Sequence, residues 1–378
     1  MNDRSGGEGR TAGGGGRGGK PRSRRRRAAV VTAWATAALI AVGGAGLGYV
    51  WFQLDGNLRG VDIDAQLYGR DRPRDIGDGS MDILVLGSDS RSGANSSYGR
   101  DDGAARADTA MIVHVNEGHR SATVVSIPRD TLVDRPACTD SDGGRIPPAD
   151  GVMFNSAYEV GGPACAVGTV ERLSGIRMDH YLEIDFTGFK KLVDELGGVE
   201  ITTTEAIHDR DSRLDLPAGT HTLDGEQSLA LVRTRKSVGD GSDLGRIQLQ
   251  QTFVKAFIAQ VKDAGLLTDP VRLFGVANTA TKAVTTDSDL ASVSKLTGFA
   301  RSLSGIGPSD VQMVTLPVGY DPYDPNRVVP IDRDARQVWS ALRRDEPVPA
   351  SALRNSAAGR SGADGVVSAT PGAASPAG

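Results

Sequence analysis

Residues 28–54 contain no charged side chain. An apolar run of this length exceeds the roughly 20 residues that a helix needs to cross a hydrocarbon core of about 30 Å. A cleaved signal sequence has a shorter apolar stretch, about 7–15 residues, and a buried core helix is the other structural alternative; a retained transmembrane helix is the expectation. Its Gly43-Gly44-Ala45-Gly46-Leu47-Gly48 stretch is of a kind common in membrane helices, and Tyr49, Trp51 and Phe52 fall where an interfacial aromatic belt would lie. Residues 1–27 carry Arg4, Arg10, Arg17, Lys20, Arg22, Arg24, Arg25, Arg26 and Arg27 against Asp3 and Glu8, a net of +7. The whole chain is −4, so the remainder carries −11. A basic block can signal nucleic-acid binding, but directly before an apolar run it reads as a topology signal, and no nucleic-acid partner is expected. By the positive-inside rule the head stays cytoplasmic and everything after residue 54 is extracellular.

Two cysteines, Cys138 and Cys165, cannot make a four-ligand zinc site alone, and no His lies near either at metal-binding spacing. In an oxidising compartment the expectation is a disulfide, against two unpaired thiols. Closing a loop of about 27 residues would contribute roughly 3.5 kcal/mol by chain entropy.

The chain divides by composition into a disordered basic tail (1–27), the span (28–54), an extracellular stem (55–80), a folded domain (81–345) and a disordered Ala/Gly/Ser/Pro-rich tail (346–378). Within the domain, β-branched and alternating runs predict strands at 83–86, 109–115, 123–127, 181–186, 199–203 and 311–316. Helical patterns cover 154–160, 164–173, 188–196 (capped by Thr187), 246–264, 271–283, 290–304 and 334–343, and residues 208–222 read as a loop. Strand 181–186, helix and strand 199–203 have βαβ-like spacing. The fold class is α/β, a mixed central sheet flanked by helices. Ile247, Phe253, Val254, Phe257, Ile258 and Val261 fall largely on one side of the 246–264 helix, a face suited to the core or to a groove for a lipid chain.

Chemistry concentrates at three predicted strand ends: Met81 to Arg91, Arg106 to Thr109, and Val125 to Asp130. Asp89 and Asp108 suit Mg²⁺, which takes one or two carboxylates while phosphate and water fill the shell. Arg91, Arg106, Arg129, Arg233, Arg235 and Arg246 are more guanidinium than two carboxylates need. Guanidinium forks match phosphate oxygens, so the combination points to a di- or polyphosphate and to phosphoryl transfer, with ordinary surface ion pairs as the alternative. Gly87-Ser88-Asp89-Ser90 lacks nucleophile-elbow spacing, and no Walker A or Rossmann fingerprint occurs. The five histidines are scattered and read as structural.

In order, Leu86-Gly87-Ser88-Asp89-Ser90-Arg91, Arg106-Ala107-Asp108-Thr109, Val125-Ser126-Ile127-Pro128-Arg129-Asp130 and Asn155-Ser156-Ala157-Tyr158 resemble motifs of the LytR-CpsA-Psr family of cell-wall ligases. So do Phe189 to Val199, Leu223 to Leu229, Val232 to Lys236 and Gly245-Arg246-Ile247-Gln248. The resemblance implies a Mg²⁺-dependent phosphotransferase. Such an enzyme takes a glycopolymer from a polyprenyl-pyrophosphate carrier and joins it by a phosphodiester to peptidoglycan. It implies Asp89 and Asp108 as metal ligands, Arg106, Arg129, Arg233, Arg235 and Arg246 as pyrophosphate contacts, and Gln250 as the family's glutamine. Asp89, Asp108, Arg129 and Arg235 would be catalytic. Where the family commonly has a further Arg this chain has Leu249, which would either weaken head-group binding or mark a surface position, the second being the expectation. A non-catalytic polyprenyl-phosphate-binding regulator and a pyrophosphatase are the competing classes.

Overall fold

The computed structural model describes residues 46, 48–67, 72–75, 79–88, 107–140, 143–235, 238, 242–360 and 365–369. The chain forms two units, Met1–Phe52 and Gln53–Gly378. In the first, residues 48–52 are helical, with Tyr49, Trp51 and Phe52 exposed. The expected span lies mostly outside the described residues, among which no helix is long and apolar enough to cross a membrane.

The second unit is built on a seven-stranded sheet: β1 (Arg59–Val61), β2 (Met81–Ser88), β3 (Ala107–Val115), β4 (Ala122–Ser126), β5 (His180–Asp185), β6 (Val284–Asp287) and β7 (Val311–Thr315), in the order β1-β6-β5-β2-β3-β4-β7. β2-β3-β4 is an antiparallel meander, while β2 with β5, β4 with β7 and β1 with β6 run parallel. The sheet is therefore mixed, as the sequence suggested. The helices are α1 (Ile63–Leu67), α2 (Phe154–Ser174), α3 (Phe186–Glu195), α4 (Gly225–Arg233), α5 (Asp243–Asp263), α6 (Pro270–Ala283), α7 (Val293–Leu303) and α8 (Asp332–Leu342).

Strand alternation sends Leu84, Leu86, Ile112 and Val125 to one face, where α2 and α8 seal them with Val167, Val170, Val338 and Trp339. Ile83, Met111 and Val124 go to the other face. There Val85, Val113, Leu182 and Met313 of the sheet, Val254 and Ile258 of α5, and Phe299 and Leu303 of α7 stay only partly buried. A third core gathers Val193, Val199, Ile201, Leu231, Leu249 and Phe253 beside the sheet.

Several expectations change. The fold begins before residue 81: β1 pairs with β6, Ile63 and Leu67 are buried, and Arg72 reaches Glu171 on α2 at 2.6 Å. Asp185, not Thr187, caps α3, accepting from the Gly188 N–H at 2.7 Å. The strand Val199–Thr203 does not close a βαβ unit, because β2 and β6 already flank β5. It pairs instead with Gly219–Leu223 and Val367–Ser368 in a separate sheet. The supposed loop 208–222 contains strands, and Ala352, Ala357, Ala358 and Val367 of the supposed tail are buried. The helix at 246–264 is not one-sided, since α5 feeds all three cores. The α2 pattern broke at the right place: Gly161 and Gly162 leave helical geometry before Pro163. Cys138 and Cys165 form the disulfide, their Cα atoms 5.4 Å apart.

One histidine carries more than packing. His114 on β3 is buried with Nδ1 2.9 Å from Asp82 and Nε2 3.1 Å from Asp345, just beyond α8. Burial alone would pull the imidazole down, but the two carboxylates outweigh it and hold the group above its ordinary value. A raised folded value means that the stabilisation is complete below the unfolded value of about 6.5 and fades as pH rises through the folded one. His114→Gln is therefore expected to cost about 1–3 kcal/mol near pH 5.5 and less near pH 9, read from urea midpoints. An equal loss at both pH values would contradict an ionised pair.

Candidate anion-binding site

The sheet register brings the first carboxylate and guanidinium together. Asp108 is the second residue of β3, whose first, Ala107, pairs with Ser88 across a register shift at the end of β2. Arg129 follows β4 by three residues, and the Ile127 N–H bonds to the Ala110 carbonyl, continuing that ladder past the strand end. Arg129 Nη1 then donates to Asp108 Oδ1 at 2.6 Å. The remaining charges come from two helix ends. Arg235 lies just beyond α4, its N–H donating to Asp209 at 3.0 Å. Arg246 stands in the first turn of α5, and Gln250 one turn on donates to the Val232 carbonyl at 3.0 Å, locking α5 to the end of α4.

Asp243 sits at the centre. Its Oδ1 is 2.6 Å from Arg246 Nη2, 3.5 Å from Arg129 Nε and 3.9 Å from Arg235 Nε. Both carboxylate oxygens are buried, yet neither makes a well-directed hydrogen bond among the described residues; charge holds them. Arg246 also donates to the Asp108 carbonyl at 3.0 Å. The Nε atoms of Arg129 and Arg246 are buried donors with no acceptor among the described residues. Buried N–H groups are nearly always satisfied, so these two guanidinium donors have hydrogen-bonding capacity left for an anion.

Electrostatics agree. Burial would push the Asp108 carboxyl up, but Arg246, Arg129 and Arg235 outweigh it and hold the group below the ordinary carboxylate value. Burial pulls Arg246 down to about 10 despite Asp243, with Arg235 and Arg129 adding repulsion. Arg129 is raised: burial opposes its charge, and Asp108, Asp243 and Asp130 prevail. Asp108 thus presents an ionised carboxylate with one oxygen on Arg129. Among the described residues no three His, Cys, Asp or Glu side chains are placed to hold a metal.

Of the residues singled out in the sequence, Asp108, Arg129, Arg235 and Arg246 meet here, with Gln250 supporting from behind. Arg233 lies over the Phe186 ring at 5.1 Å. Asp89 and Arg106 lie outside the described residues. Leu249 is buried in the third core rather than at the surface, so no head-group charge is missing there. Asp243 was missed; its signal was an acidic residue three positions before Arg246, in the first turn of a helix. Asn155 was quoted without a role: its N–H bonds to the Arg129 carbonyl, and its Oδ1 is buried without a partner among the described residues. Behind the end of β2, Glu183 accepts from Tyr158 at 2.7 Å and Tyr181 at 2.6 Å.

Fold and site together define a mixed α/β domain with a cluster of guanidiniums and carboxylates at its strand ends and a partly buried apolar sheet face. The LytR_cpsA_psr family model matches residues 50–343, and the chain belongs to that family. It is 32% identical over 309 residues to the cell wall biosynthesis protein LcpA of Corynebacterium glutamicum, covering 72% of this chain and 57% of that one. The chain thus spans less than two thirds of that relative. It is 32% identical over 242 residues, 61% of this chain and 70% of the relative, to TagT of Bacillus subtilis, a polyisoprenyl-teichoic acid–peptidoglycan teichoic acid transferase. A structure of TagT bound to LI-WTA superposes with a TM-score of 0.52 at 27% identity, covering 73% of this chain and 94% of that one.

Asp243→Ala leaves Arg246 buried without its nearest carboxylate and is expected to cost about 3–5 kcal/mol, read as a lower urea midpoint. Inorganic pyrophosphate should restore part of that loss, as an anion occupying the vacated place, where chloride should not. Unchanged stability, or equal rescue by both anions, would show that Asp243 does not hold the cluster.

Proposed function

We propose that this protein transfers a glycopolymer from a polyprenyl-pyrophosphate carrier to peptidoglycan, leaving a phosphodiester link. The observation that carries the proposal is the pair of orphaned Nε donors on Arg129 and Arg246 beside the ionised Asp108. Arg129, Arg235 and Arg246 bind the pyrophosphate and neutralise charge that grows on its oxygens, with Arg106 and Arg233 as further contacts. Mg²⁺ would be held by Asp89 and Asp108 and would supply further neutralisation of phosphate charge. The half-covered face lined by Val85, Val113, Val254, Ile258 and Phe299 suits the prenyl chain. The printed activity of TagT supports the same reaction class.

An acceptor hydroxyl attacks the sugar-linked phosphorus, and the prenyl phosphate leaves. Asp130 is a carboxylate suited to take the hydroxyl proton. Its ion-pair contacts, Arg129 Nε at 3.5 Å and Arg327 Nη1 at 3.8 Å, are longer than hydrogen bonds. On this proposal the protein sits in the cell membrane through the uncharged run 28–54, with the basic head cytoplasmic and the catalytic domain outside. The Cys138–Cys165 disulfide supports an oxidising compartment.

The test incubates the full chain with a polyprenyl-pyrophosphate glycan, Mg²⁺ and peptidoglycan oligomers. Asp108→Ala and Arg129→Ala are each expected to lower transfer at least about a hundredfold; transfer left intact in either would overturn the site. Free phosphorylated glycan as the wild-type product would mean hydrolysis, and prenyl-lipid binding without turnover would mean a regulator.

A further inference from the structure

We propose that the turn at 321–327 is a carbohydrate subsite for the acceptor strand, with the Tyr323 ring as its stacking platform; this rests on the transferase activity proposed above. The turn joins the antiparallel strands Val318–Tyr320 and Val328–Pro330, whose Val318 and Val328 are anchored in the core on the α2/α8 side. It is built as a rigid presenter. The Asp321 N–H donates to the Arg327 carbonyl at 3.0 Å and the Arg327 N–H to the Asp324 carbonyl at 2.9 Å. The Asp324 N–H donates to Asp321 Oδ2 at 3.2 Å, and the Asn326 N–H to Asp324 Oδ1 at 2.9 Å. Pro322 and Pro325 fix φ on either side of the ring-bearing dipeptide.

On this stiffened tip Tyr323 is 94% exposed, and Tyr320 at its base is 48% exposed. A single exposed aromatic is ordinary on a mobile loop. Here the ring adds nothing to the core while the turn around it is ordered by four hydrogen bonds between its other residues, which is the preorganisation a binding platform needs.

The turn is continuous with the anion site. Arg327 lies 3.7 Å from Asp324 Oδ2 and 3.8 Å from Asp130 Oδ1, Asp130 lies 3.5 Å from Arg129, and Arg129 bonds Asp108. The backbone makes the same connection: Thr131 bridges to Val328, and the Val328 N–H donates to the Asp130 carbonyl at 3.3 Å. The turn that carries Tyr323 is thereby tied to Asp130, the residue proposed to take the acceptor's proton.

Chemistry selects the occupant. An aromatic face suits the C–H face of a pyranose, and the neighbouring carboxylates and Asn326 suit its hydroxyl and amide groups. The turn carries Asp321 and Asp324 against Arg327, which disfavours an anionic polymer. A prenyl chain is better served by the half-covered apolar face on the other side of the sheet. That leaves the uncharged sugar rings of the acceptor glycan strand.

The full chain is assayed with a lipid-linked donor and peptidoglycan oligosaccharides of increasing length, and the oligosaccharides are also titrated without donor. Tyr323→Ala is expected to raise the acceptor KM and weaken direct glycan binding by about three- to tenfold. The donor KM and donor loss to water should be unchanged, and Tyr323→Phe, which keeps the ring, should match the wild type. Unchanged acceptor KM and glycan binding in Tyr323→Ala, or an equal loss in Tyr323→Phe, would overturn the subsite. Should the wild type bind glycan through Tyr323 yet transfer nothing, the transferase activity fails and the subsite stands.

Discussion

The site depends on one carboxylate shared by three guanidiniums. Arg129, Arg235 and Arg246 arrive from a strand end and two helix ends, and like charges at that spacing would force those elements apart. Asp243 lies within 3.9 Å of all three, and as the first residue of α5 it sits where the helix dipole favours a negative charge. It removes enough repulsion for Arg246 to remain 3% exposed. It does not satisfy the guanidiniums' directional needs, and two Nε donors have no acceptor among the described residues. A cluster charge-balanced but short of hydrogen bonds is stable without ligand and still has something to offer one.

The same helix makes the cluster possible mechanically. Leu244 and Ile247 of α5 enter the sealed core, Leu249, Phe253 and Ala256 enter the third core, and Val254 and Ile258 line the half-covered face. Gln250 ties it to α4, and Gln251 donates to Ser126 Oγ at the end of β4 at 3.0 Å. A helix gripped on three sides cannot rotate, so Asp243 and Arg246 are set to the precision that charge contacts of a few ångströms require.

Strand ends, the mixed sheet, the disulfide and four of the clustered residues were legible because each rests on a local pattern or on residue chemistry. Alternation revealed β2, β3 and β4, and Gly161-Gly162-Pro163 marked the kink in α2. Partner choice was not legible. Val199–Thr203 has the spacing of a crossover strand, but which sheet it joins depends on β5 having both edges occupied, a tertiary fact. Leu249 looked like an exposed position vacated by an arginine because a one-sided helix was assumed; packing on three sides made it core. Asp243 hid for the same reason, since an acid in a first helical turn is commonplace until three guanidiniums converge on it.

The two sheet faces divide the work. Along β2, Leu84 and Leu86 are sealed under α2 and α8, whereas Val85 between them looks toward α5 and α7 and stays partly exposed. Each apolar square ångström left in water forgoes roughly 25 cal/mol of stabilisation, and nine partly buried apolar side chains share this face among the described residues. The sealed face bears that cost by holding the strands rigid, so the open one need not close on itself. An apolar surface held open by a rigid sheet, starting at a cluster with spare guanidinium donors, suits a single amphiphile with an anionic head and a long apolar tail. Neither half alone selects one: the cluster would accept any phosphate and the face any hydrocarbon. Their joining through α5, which carries Asp243 and Arg246 at its start and Val254 and Ile258 further on, would favour a ligand that carries both.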